Sequence, residues 1–231
     1  YVGSLKLVME NGVPIETEAE TLLVEEEEKG FTAIVLAGDS GVKGIISIRD
    51  EIKEDSHKLV QFLRQKGVKT YMLTGDNERV AKAVSKELGL DGYYAGLLPD
   101  EKLTAINELK SQGQVVMVGD GVNDAPSLAE ADMGIAVKGA TDVTAETADL
   151  VIMSEKMDKI AYAIGLSQAT LKNLRVNIGF SILVVLMLLV GVIRGDIFLA
   201  SGMFFHELSV ILVTFNGMRL MGVNERQLGL D

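Results

Sequence analysis

Two apolar runs near the carboxyl end constrain this chain more than any other feature. Residues 178–193, which include "ILVVLMLLVGVI", carry no charged side chain. Extended back to Leu174, the run reaches about 20 residues, close to what a hydrocarbon core of about 30 Å requires. After "RGD", residues 197–221 form a second run of sufficient length. The pair predicts a transmembrane helical hairpin in contact with the lipid bilayer.

Basic residues at the ends of the two runs indicate how the hairpin is oriented. Lys172 and Arg175 flank the entry to the first run, and Arg219 and Arg226 flank the exit from the second, whereas the connecting turn holds one arginine and one aspartate. By the positive-inside rule, both ends of the hairpin are cytoplasmic. We therefore expect an integral membrane protein, placed in the cell (plasma) membrane, with the preceding residues in the cytoplasm.

The composition excludes some partners and sites. The 231 residues carry a formal net charge of −11. Phosphate backbones require basic patches, so we expect no nucleic-acid partner. The chain has no cysteine, which excludes disulfides and thiolate metal sites and suits a cytosolic soluble part.

The residues before the hairpin alternate between strand and helix patterns. Residues 1–24 predict a helix remnant and a strand, and residues 32–37 and 43–48 predict a hairpin around "GDSG". After Asp50, helices alternate with the apolar segments "VKTYML", "YYAG", "QVVMVGD", "MGIAV" and "ADLVIM". This alternation predicts an α/β fold, a Rossmann-like parallel sheet with helices on both faces.

Two polar loops follow strands of this predicted sheet. "MLTGDN" ends one strand and "MVGDGVND" ends another. Ligands of such sheets bind at the carboxyl ends of the strands, where loops converge, so both loops are expected at a single crevice.

The residue types in these loops suit phosphoryl chemistry. A phosphoryl group in transfer needs fixed donors around its oxygens and a metal that offsets developing charge. Thr74 supplies a hydroxyl and Gly75 permits close backbone approach, while Asp120 and Asp124 supply hard oxygen ligands for Mg²⁺. Lys102, early in the helix after "LLPD", adds a cation on a flexible stem.

Three segments, "MLTGDN", "LLPDEK" and "MVGDGVNDAPSLAEADMGIAV", together resemble the phosphorylation domain of P-type cation-transporting ATPases in the haloacid dehalogenase superfamily. The resemblance extends over nearly the whole chain, to the heavy-metal-transporting branch, and implies ATP and Mg²⁺ as cofactors. It implies a remnant of the nucleotide-binding domain, a phosphorylation domain, a linking helix, a transmembrane hairpin and a cytoplasmic tail, at residues 1–30, 31–155, 156–176, 177–222 and 223–231.

The resemblance also implies a role for each matching residue at the phosphate. Thr74 and Gly75 bind phosphate, Lys102 contacts it, and Asp120 ligates Mg²⁺. Asp124 is expected in the same Mg²⁺ site. Asn123 supports that site as well.

Two further acids are implied on the nucleotide side. Asp50, in "IRDEIK", resembles the hinge acid near the nucleotide, although Lys53 stands where an arginine is usual. Asp76 helps to hold the nucleotide.

One departure from the family pattern is large, because the sequence contains no D-K-T-G-T motif for a phosphorylated aspartate. Asp39, followed by "SGV" in the predicted turn, is a poor replacement. The chain is therefore expected to be the carboxyl-terminal part of a pump, inactive without the missing amino-terminal half. Two alternatives stay open: a membrane-anchored phosphatase of the same superfamily, and a non-catalytic fragment or half of a split pump.

His206 and Glu207 lie inside the second apolar run. A charge near the bilayer centre costs about 2.5–3.5 kcal/mol on insertion scales, and imidazole and carboxylate both ligate divalent metals. Met203, His206 and Ser209 are expected on one helix face with Glu207 beside it, which predicts contacts to a transported transition metal ion. The alternative is a buried His–Glu hydrogen bond that only packs helices.

The same helix bears on which metal is carried. "ILVTFNGMRLM" resembles the zinc, cadmium and cobalt exporters more than the copper ones, and "HE" is similar to the cobalt-type subgroup. The first apolar run also lacks the lysine expected of the zinc and cadmium subgroup. The resemblance thus implies Zn²⁺, Cd²⁺ or Co²⁺ as the transported ion, leaning to Co²⁺.

Overall fold

The computed structural model describes residues 1–38, 41–120, 122–137, 146–154 and 156–224. Asp39 and Arg226, both used in the sequence argument, lie outside the described residues. The chain divides into two compact units, Tyr1–Met157 and Asp158–Asp231.

The first unit begins with a small antiparallel sheet covered on one face by helices. Its strands are β1 (Val2–Gly3), β2 (Thr32–Gly38) and β3 (Gly41–Ile48), and its helices are α1 (Leu5–Glu10) and α2 (Thr17–Glu28). The predicted hairpin is present as β2 and β3, which pair antiparallel. Val8, Leu23 and Val35, each at most 1% exposed, form the centre of the core between sheet and helices.

The amino-terminal residues are more helical than their sequence suggested. A strand was expected within residues 1–24; the strand found there is the two-residue Val2–Gly3, and two helices follow it. The physical reason is composition, since half of "TEAETLLVEEEE" in α2 is glutamate and the segment also holds leucine, both of which favour helix. Because β1 pairs with β2, the sheet also crosses the boundary expected at residue 30.

Parallel strands and helices alternate through the rest of the first unit, which confirms the α/β prediction. The elements are α3 (Glu54–Gln65), β4 (Tyr71–Leu73), α4 (Glu78–Leu88), β5 (Gly92–Tyr94), α5 (Pro99–Lys110), β6 (Val116–Gly119), α6 (Ala125–Glu130), β7 (Met133–Val137) and β8 (Leu150–Ile152). Among the described residues, β4 pairs with β5 in one parallel sheet, and β6, β7 and β8 form another.

Local signals explain where the helices that flank the polar loops begin and end. The Asn77 side chain caps α4 by accepting a hydrogen bond from the Val80 N–H (3.1 Å). Gly89 ends α4 with a left-handed conformation (φ 70°), which glycine adopts without steric cost. Pro99 occupies the first position of α5, where its missing N–H costs nothing.

The second unit is a hairpin of two long helices, α7 (Asp158–Ile193) and α8 (Leu199–Met218), followed by a 3₁₀ turn (Arg219–Gly222). Helix α7 is continuous over 36 residues, or about 54 Å, so the expected linking helix and first span are one rod. Both helices are long and apolar enough to cross a membrane. Their apolar side chains are exposed, unlike those of a core helix in a soluble protein.

Three asparagines join the two helices of the hairpin. The Asn216 amide donates to Asn177 Oδ1 (2.7 Å), and the Asn177 amide donates to Asn173 Oδ1 (2.9 Å). The Asn173 amide donates to the Asn216 carbonyl (2.8 Å), one of the last-turn carbonyls of α8 that have no partner within the helix. Hydrogen bonds between apolar helices fix their register, so this cluster determines how α7 and α8 pair.

Candidate functional site

The loop after β4 forms a tight turn around the Thr74 hydroxyl. The Thr74 N–H donates to the Tyr94 carbonyl (3.0 Å), which fixes the loop to the end of β5. The Thr74 hydroxyl donates to Asp76 Oδ2 (2.8 Å) and accepts from the Asp76 N–H (3.1 Å). Gly75, between them, is exposed. The loop therefore presents a hydroxyl and an accessible glycine backbone at the carboxyl end of a parallel strand.

The Tyr94 side chain lies beside this loop's anchor and stays neutral over a wide pH range. Burial raises the pKa of the Tyr94 phenol, and the neighbouring Glu108 carboxylate raises it further. The Tyr94 ring also packs against Tyr71, with ring centroids 6.4 Å apart. Aromatic packing thus joins the first residue of β4 to the last residue of β5.

Helix α5 adjoins this loop through the residue that precedes its cap. The Leu97 N–H donates to the Thr74 carbonyl (3.0 Å), and a Cβ placed on Gly75 would lie 3.5 Å from the Leu97 carbonyl. Lys102 is in the first turns of α5. The turn at Thr74 and the start of the lysine-bearing helix are therefore neighbours.

Lys102 and Asp124 form a short, largely covered ion pair in the predicted site. Lys102 Nζ lies 2.7 Å from Asp124 Oδ1, and the two side chains are only 16% and 15% exposed. Asp124 packs against the end of β6, because a Cβ on Gly119 would lie 2.8 Å from Asp124 Cβ. The glycine thus provides the space that the carboxylate occupies.

The other residues of this loop are more open. Asp120 directly follows β6 and is exposed, as is Asn123 in the 3₁₀ turn Val122–Asp124. Gly121, between them, lies outside the described residues. Within the described part of the chain, the lysine pairs with Asp124 and not with Asp120.

The structure thus assembles the predicted residues in two groups. Thr74, Gly75 and Asp76 share one turn, and Lys102 pairs with Asp124. In the described ranges, no hydrogen bond or ion pair joins the two groups directly; helix α5 connects them. Asp50 lies exposed between β3 and α3.

The donor set at the end of β6 fits Mg²⁺. The available atoms are carboxylate oxygens, and Mg²⁺ is bound through one or two carboxylates together with waters and phosphate oxygens. Asp120 offers an exposed carboxylate, and Asp124 retains an oxygen not engaged by Lys102. No cluster of three or more His, Cys, Asp or Glu side chains suited to a metal occurs among the described residues.

His206 and Glu207 are exposed on helix α8, on a surface that α7 does not cover. Ser209, three residues beyond His206, lies about 60° from it around the helix axis, is 8% exposed and donates to the His206 carbonyl (2.6 Å). Two residues along a helix turn the side chain by about 200°, so Ser209 faces away from Glu207. The pair therefore provides at most two ligands on its exposed face.

Sequence reasoning missed Gly119 and Glu27. Gly119 directly precedes Asp120, and a glycine directly before an acidic loop is a sequence signal of close packing. Glu27 lies in a run of four glutamates, which is typical of solvated surface, and nothing in the sequence distinguishes it from the others.

Replacing Gly119 with alanine should disrupt the Lys102–Asp124 pair. The new methyl group would overlap Asp124 Cβ at 2.8 Å and crowd Asp124 Oδ2 at 3.1 Å, so the carboxylate must move. Hydrogen bonds to charged groups contribute about 1.5–3 kcal/mol, so we expect the free energy of unfolding to fall by about that amount, as measured by thermal unfolding. Gly113→Ala, at a glycine with open space around it, is the matched control. Equal stability of both variants would contradict the close packing.

Comparison with known proteins identifies the class. Residues 1–132 match the family model of haloacid dehalogenase-like hydrolases, and residues 101–164 match a second model of the same description. The chain therefore belongs to the haloacid dehalogenase-like hydrolase family.

The chain's relatives are ATPases that transport heavy metals. It is 38% identical over 230 residues to a probable cadmium-transporting ATPase of Staphylococcus aureus (strain MRSA252), covering 98% of this chain and 32% of that protein. It is 42% identical over 177 residues to the copper-transporting ATPase HMA5 of Oryza sativa subsp. japonica, covering 76% of this chain and 18% of that protein.

A solved structure resembles the chain over most of its length. The crystal structure of a zinc-transporting PIB-type ATPase in the E2.Pi state is 36% identical, with a TM-score of 0.79, covering 89% of this chain and 34% of that one. The chain thus spans about a third, or less, of the length of the relatives it matches.

Proposed function

We propose that this chain is the carboxyl-terminal part of an ATP-driven pump that exports a divalent heavy-metal ion across the plasma membrane. The supporting observation is the Lys102–Asp124 pair at the end of β6, next to Asp120, in a chain that also has two exposed apolar helices. In this proposal the first unit is the cytoplasmic phosphorylation domain, and both ends of the hairpin are cytoplasmic.

The residues of the first unit divide the work of binding a phosphoryl group. The Thr74 hydroxyl, the Gly75 backbone and the Lys102 ammonium would bind its oxygens. Asp120 would hold Mg²⁺, with Asp124 and Asn123 supporting it; when bound, the ion offsets negative charge on the phosphoryl oxygens. On the nucleotide side, the proposed residues are Asp50 and Asp76.

The local geometry supports separate roles for the two acids. Lys102 already neutralises Asp124, so that acid is suited to position the lysine rather than to supply the main metal ligand. The Asp120 carboxylate is exposed and is not the acid that pairs with Lys102, so it is available to Mg²⁺. Lys102 moves toward the phosphoryl oxygens by a change in its flexible stem.

The nucleophile would come from an amino-terminal portion that this chain does not contain. The sequence has no D-K-T-G-T motif, and the chain spans 32% of a cadmium-transporting relative. We therefore infer that the chain works together with that portion, which would also supply most of the nucleotide-binding domain.

The transported ion would contact His206 and Glu207 in the membrane. Imidazole and carboxylate suit Zn²⁺, Cd²⁺ and Co²⁺, whereas Cu(I) prefers thiolate and thioether ligands. The relatives carry names with cadmium, copper and zinc, so the ligand chemistry of this chain supports the assignment to the zinc, cadmium and cobalt class. Because the His–Glu pair resembles the cobalt-type subgroup, Co²⁺ is our first choice of cargo.

The test is a hydrolysis assay on the purified chain, with and without an amino-terminal segment carrying D-K-T-G-T. We expect the chain alone to hydrolyse neither ATP nor small phosphoesters, because it has no phosphorylated aspartate. Together with the segment, it should show ATP hydrolysis stimulated by Co²⁺, Zn²⁺ or Cd²⁺. Absence of metal stimulation in the complex would overturn the proposal.

The second candidate, a membrane-anchored phosphatase, rests on the same phosphate-binding residues. Its signature would be phosphoester turnover by the chain alone that disappears in Asp120→Asn. That result would favour the phosphatase over the pump as the function of this chain.

A further inference from the structure

One glutamate of the acidic run at residues 25–28 is turned into the protein. Glu27, on α2, is 8% exposed, whereas Glu25 and Glu28 lie on the surface. Glu26 is paired with Lys29, whose hydrogen bond lowers the pKa of the Glu26 carboxyl. Glu27 is therefore the one buried carboxylate of the run.

Both oxygens of that carboxylate bind residues at the start of α4. Glu27 Oε1 accepts from the Asn77 side-chain amide (2.7 Å), and Oε2 accepts from Arg79 Nη1 (2.7 Å). The Glu27 side chain is 11% exposed and the Arg79 side chain 52%. A carboxylate this covered is stable only when its oxygens are hydrogen-bonded, so the contact is specific.

Asn77 uses the two ends of its amide for two different elements. Its Oδ1 caps α4 at the Val80 N–H, while its Nδ2 holds Glu27 on α2. Asn77 directly follows Asp76, whose side chain fixes the Thr74 hydroxyl. Two hydrogen bonds, Glu27–Asn77 and Asp76–Thr74, together with the peptide bond between Asp76 and Asn77, thus connect Glu27 to the Thr74 hydroxyl that we assign to phosphate binding.

A second contact holds α2 against α4 farther along. Arg49, at the end of β3, donates to the Lys29 carbonyl (3.0 Å) just past α2 and pairs with Glu87 on α4. Helix α4 is therefore attached to α2 near both of its ends, and Glu27 is the attachment nearest to the phosphate loop.

We propose that Glu27 is a positioning residue for the phosphate loop at residues 74–76. By holding Asn77 and Arg79, it fixes the start of α4 and so the direction in which the Thr74 hydroxyl and Gly75 backbone point. The inference rests on the proposed phosphate site. It adds to that site a role for α2 in phosphate recognition. Helix α2 belongs to the expected remnant of the nucleotide-binding domain.

The test swaps the donor and the acceptor of the Glu27–Asn77 hydrogen bond by substitution. Asn77→Asp keeps a capping oxygen but sets a carboxylate against Glu27, and Glu27→Gln removes the charge that pairs with Arg79. In the double variant, the new side-chain amide on α2 can donate to the new carboxylate at the start of α4, so the hydrogen bond returns with its direction reversed. Glu28→Gln, the same change at an exposed position of the same helix, is the matched control.

Two measurements on the full chain in lipid nanodiscs report the outcome. The first is the affinity for inorganic phosphate in the presence of Mg²⁺, measured by NMR from the shift of the Gly75 amide resonance. The other is hydrogen exchange at the Val80 and Ala81 amides, which lie in the first turn of α4. Small displacements of a binding group have large effects on affinity, so each single variant should bind phosphate about tenfold more weakly. The Val80 and Ala81 amide hydrogens should also exchange faster in each single variant. The double variant should recover much of both, and Glu28→Gln should match the unchanged chain.

The results separate this inference from the function on which it rests. If the unchanged chain binds no phosphate, the proposed phosphate site fails, while hydrogen exchange still tests the contact. If the unchanged chain binds phosphate and the single variants bind it equally well, the positioning role of Glu27 is wrong. If the double variant is no better than either single variant, the hydrogen bond itself is not what matters, and the role is equally refuted.

Discussion

Replacing Lys102 with methionine should weaken binding of inorganic phosphate, measured with Mg²⁺, by about 10- to 100-fold. A hydrogen bond to a charged group contributes about 1.5–3 kcal/mol, and each 1.4 kcal/mol is tenfold in affinity. The same change should lower the free energy of unfolding by a similar amount, because Asp124, 15% exposed, loses its counter-charge. Calorimetric titration and thermal unfolding measure the two effects.

A double variant separates these two consequences. In Lys102→Met with Asp124→Asn, no unpaired charge is left beside Gly119, so stability should largely recover while phosphate binding stays weak. Lys110→Met is the matched control, since Lys110 is on the same helix and donates to the Glu130 carbonyl (2.7 Å), away from the predicted site. Recovery of phosphate binding in the double variant would show that Lys102 acts only through Asp124.

The parts of the fold that local sequence determines could be predicted. The β2–β3 hairpin follows from β-branched runs around a turn, and α4 from its capping Asn77 and terminal Gly89. Alternation of apolar strands with amphipathic helices was enough to predict the α/β class. The two apolar helices of the hairpin follow from composition and length alone.

Contacts between distant elements could not be predicted in the same way. The pairing of β1 with β2 across about 30 residues, and the division of the parallel strands into two sheets, depend on tertiary packing that no local pattern encodes. The inward turn of Glu27 is of the same kind, because its partners lie 50 and 52 residues away. The sequence also left open whether α7 breaks between its polar and apolar halves, since both halves favour helix.

The candidate site shows the same division. Thr74, Gly75, Lys102, Asp120 and Asp124 could be chosen because their residue types suit phosphate and Mg²⁺ and follow strand ends. Which acid the lysine would pair with could not be chosen, because Asp120 and Asp124 are only four positions apart. The structure pairs it with Asp124, since Gly119 leaves room for that side chain at the end of β6.

Replacing Glu207 with alanine in the pump assembled from this chain and its amino-terminal portion should abolish metal-stimulated ATP hydrolysis. Glu207 is exposed on a helix long and apolar enough to span a membrane, where an acid is costly unless it binds a partner. Because loss of groups that merely orient metal ligands already costs about 10- to 100-fold, loss of a direct ligand should reduce stimulation at least that much.

Binding and turnover together identify the step at which Glu207 acts. Phosphate affinity of the first unit should be unchanged in Glu207→Ala, since the substitution lies in the second unit. Ser209→Ala is the matched control on the same helix, because that hydroxyl donates to the His206 carbonyl and faces away from Glu207. If Glu207→Ala retains full stimulation by Co²⁺, Zn²⁺ and Cd²⁺, the carboxylate is not a ligand. His206 and Glu207 would then serve only in helix packing, and other residues would bind the transported metal ion.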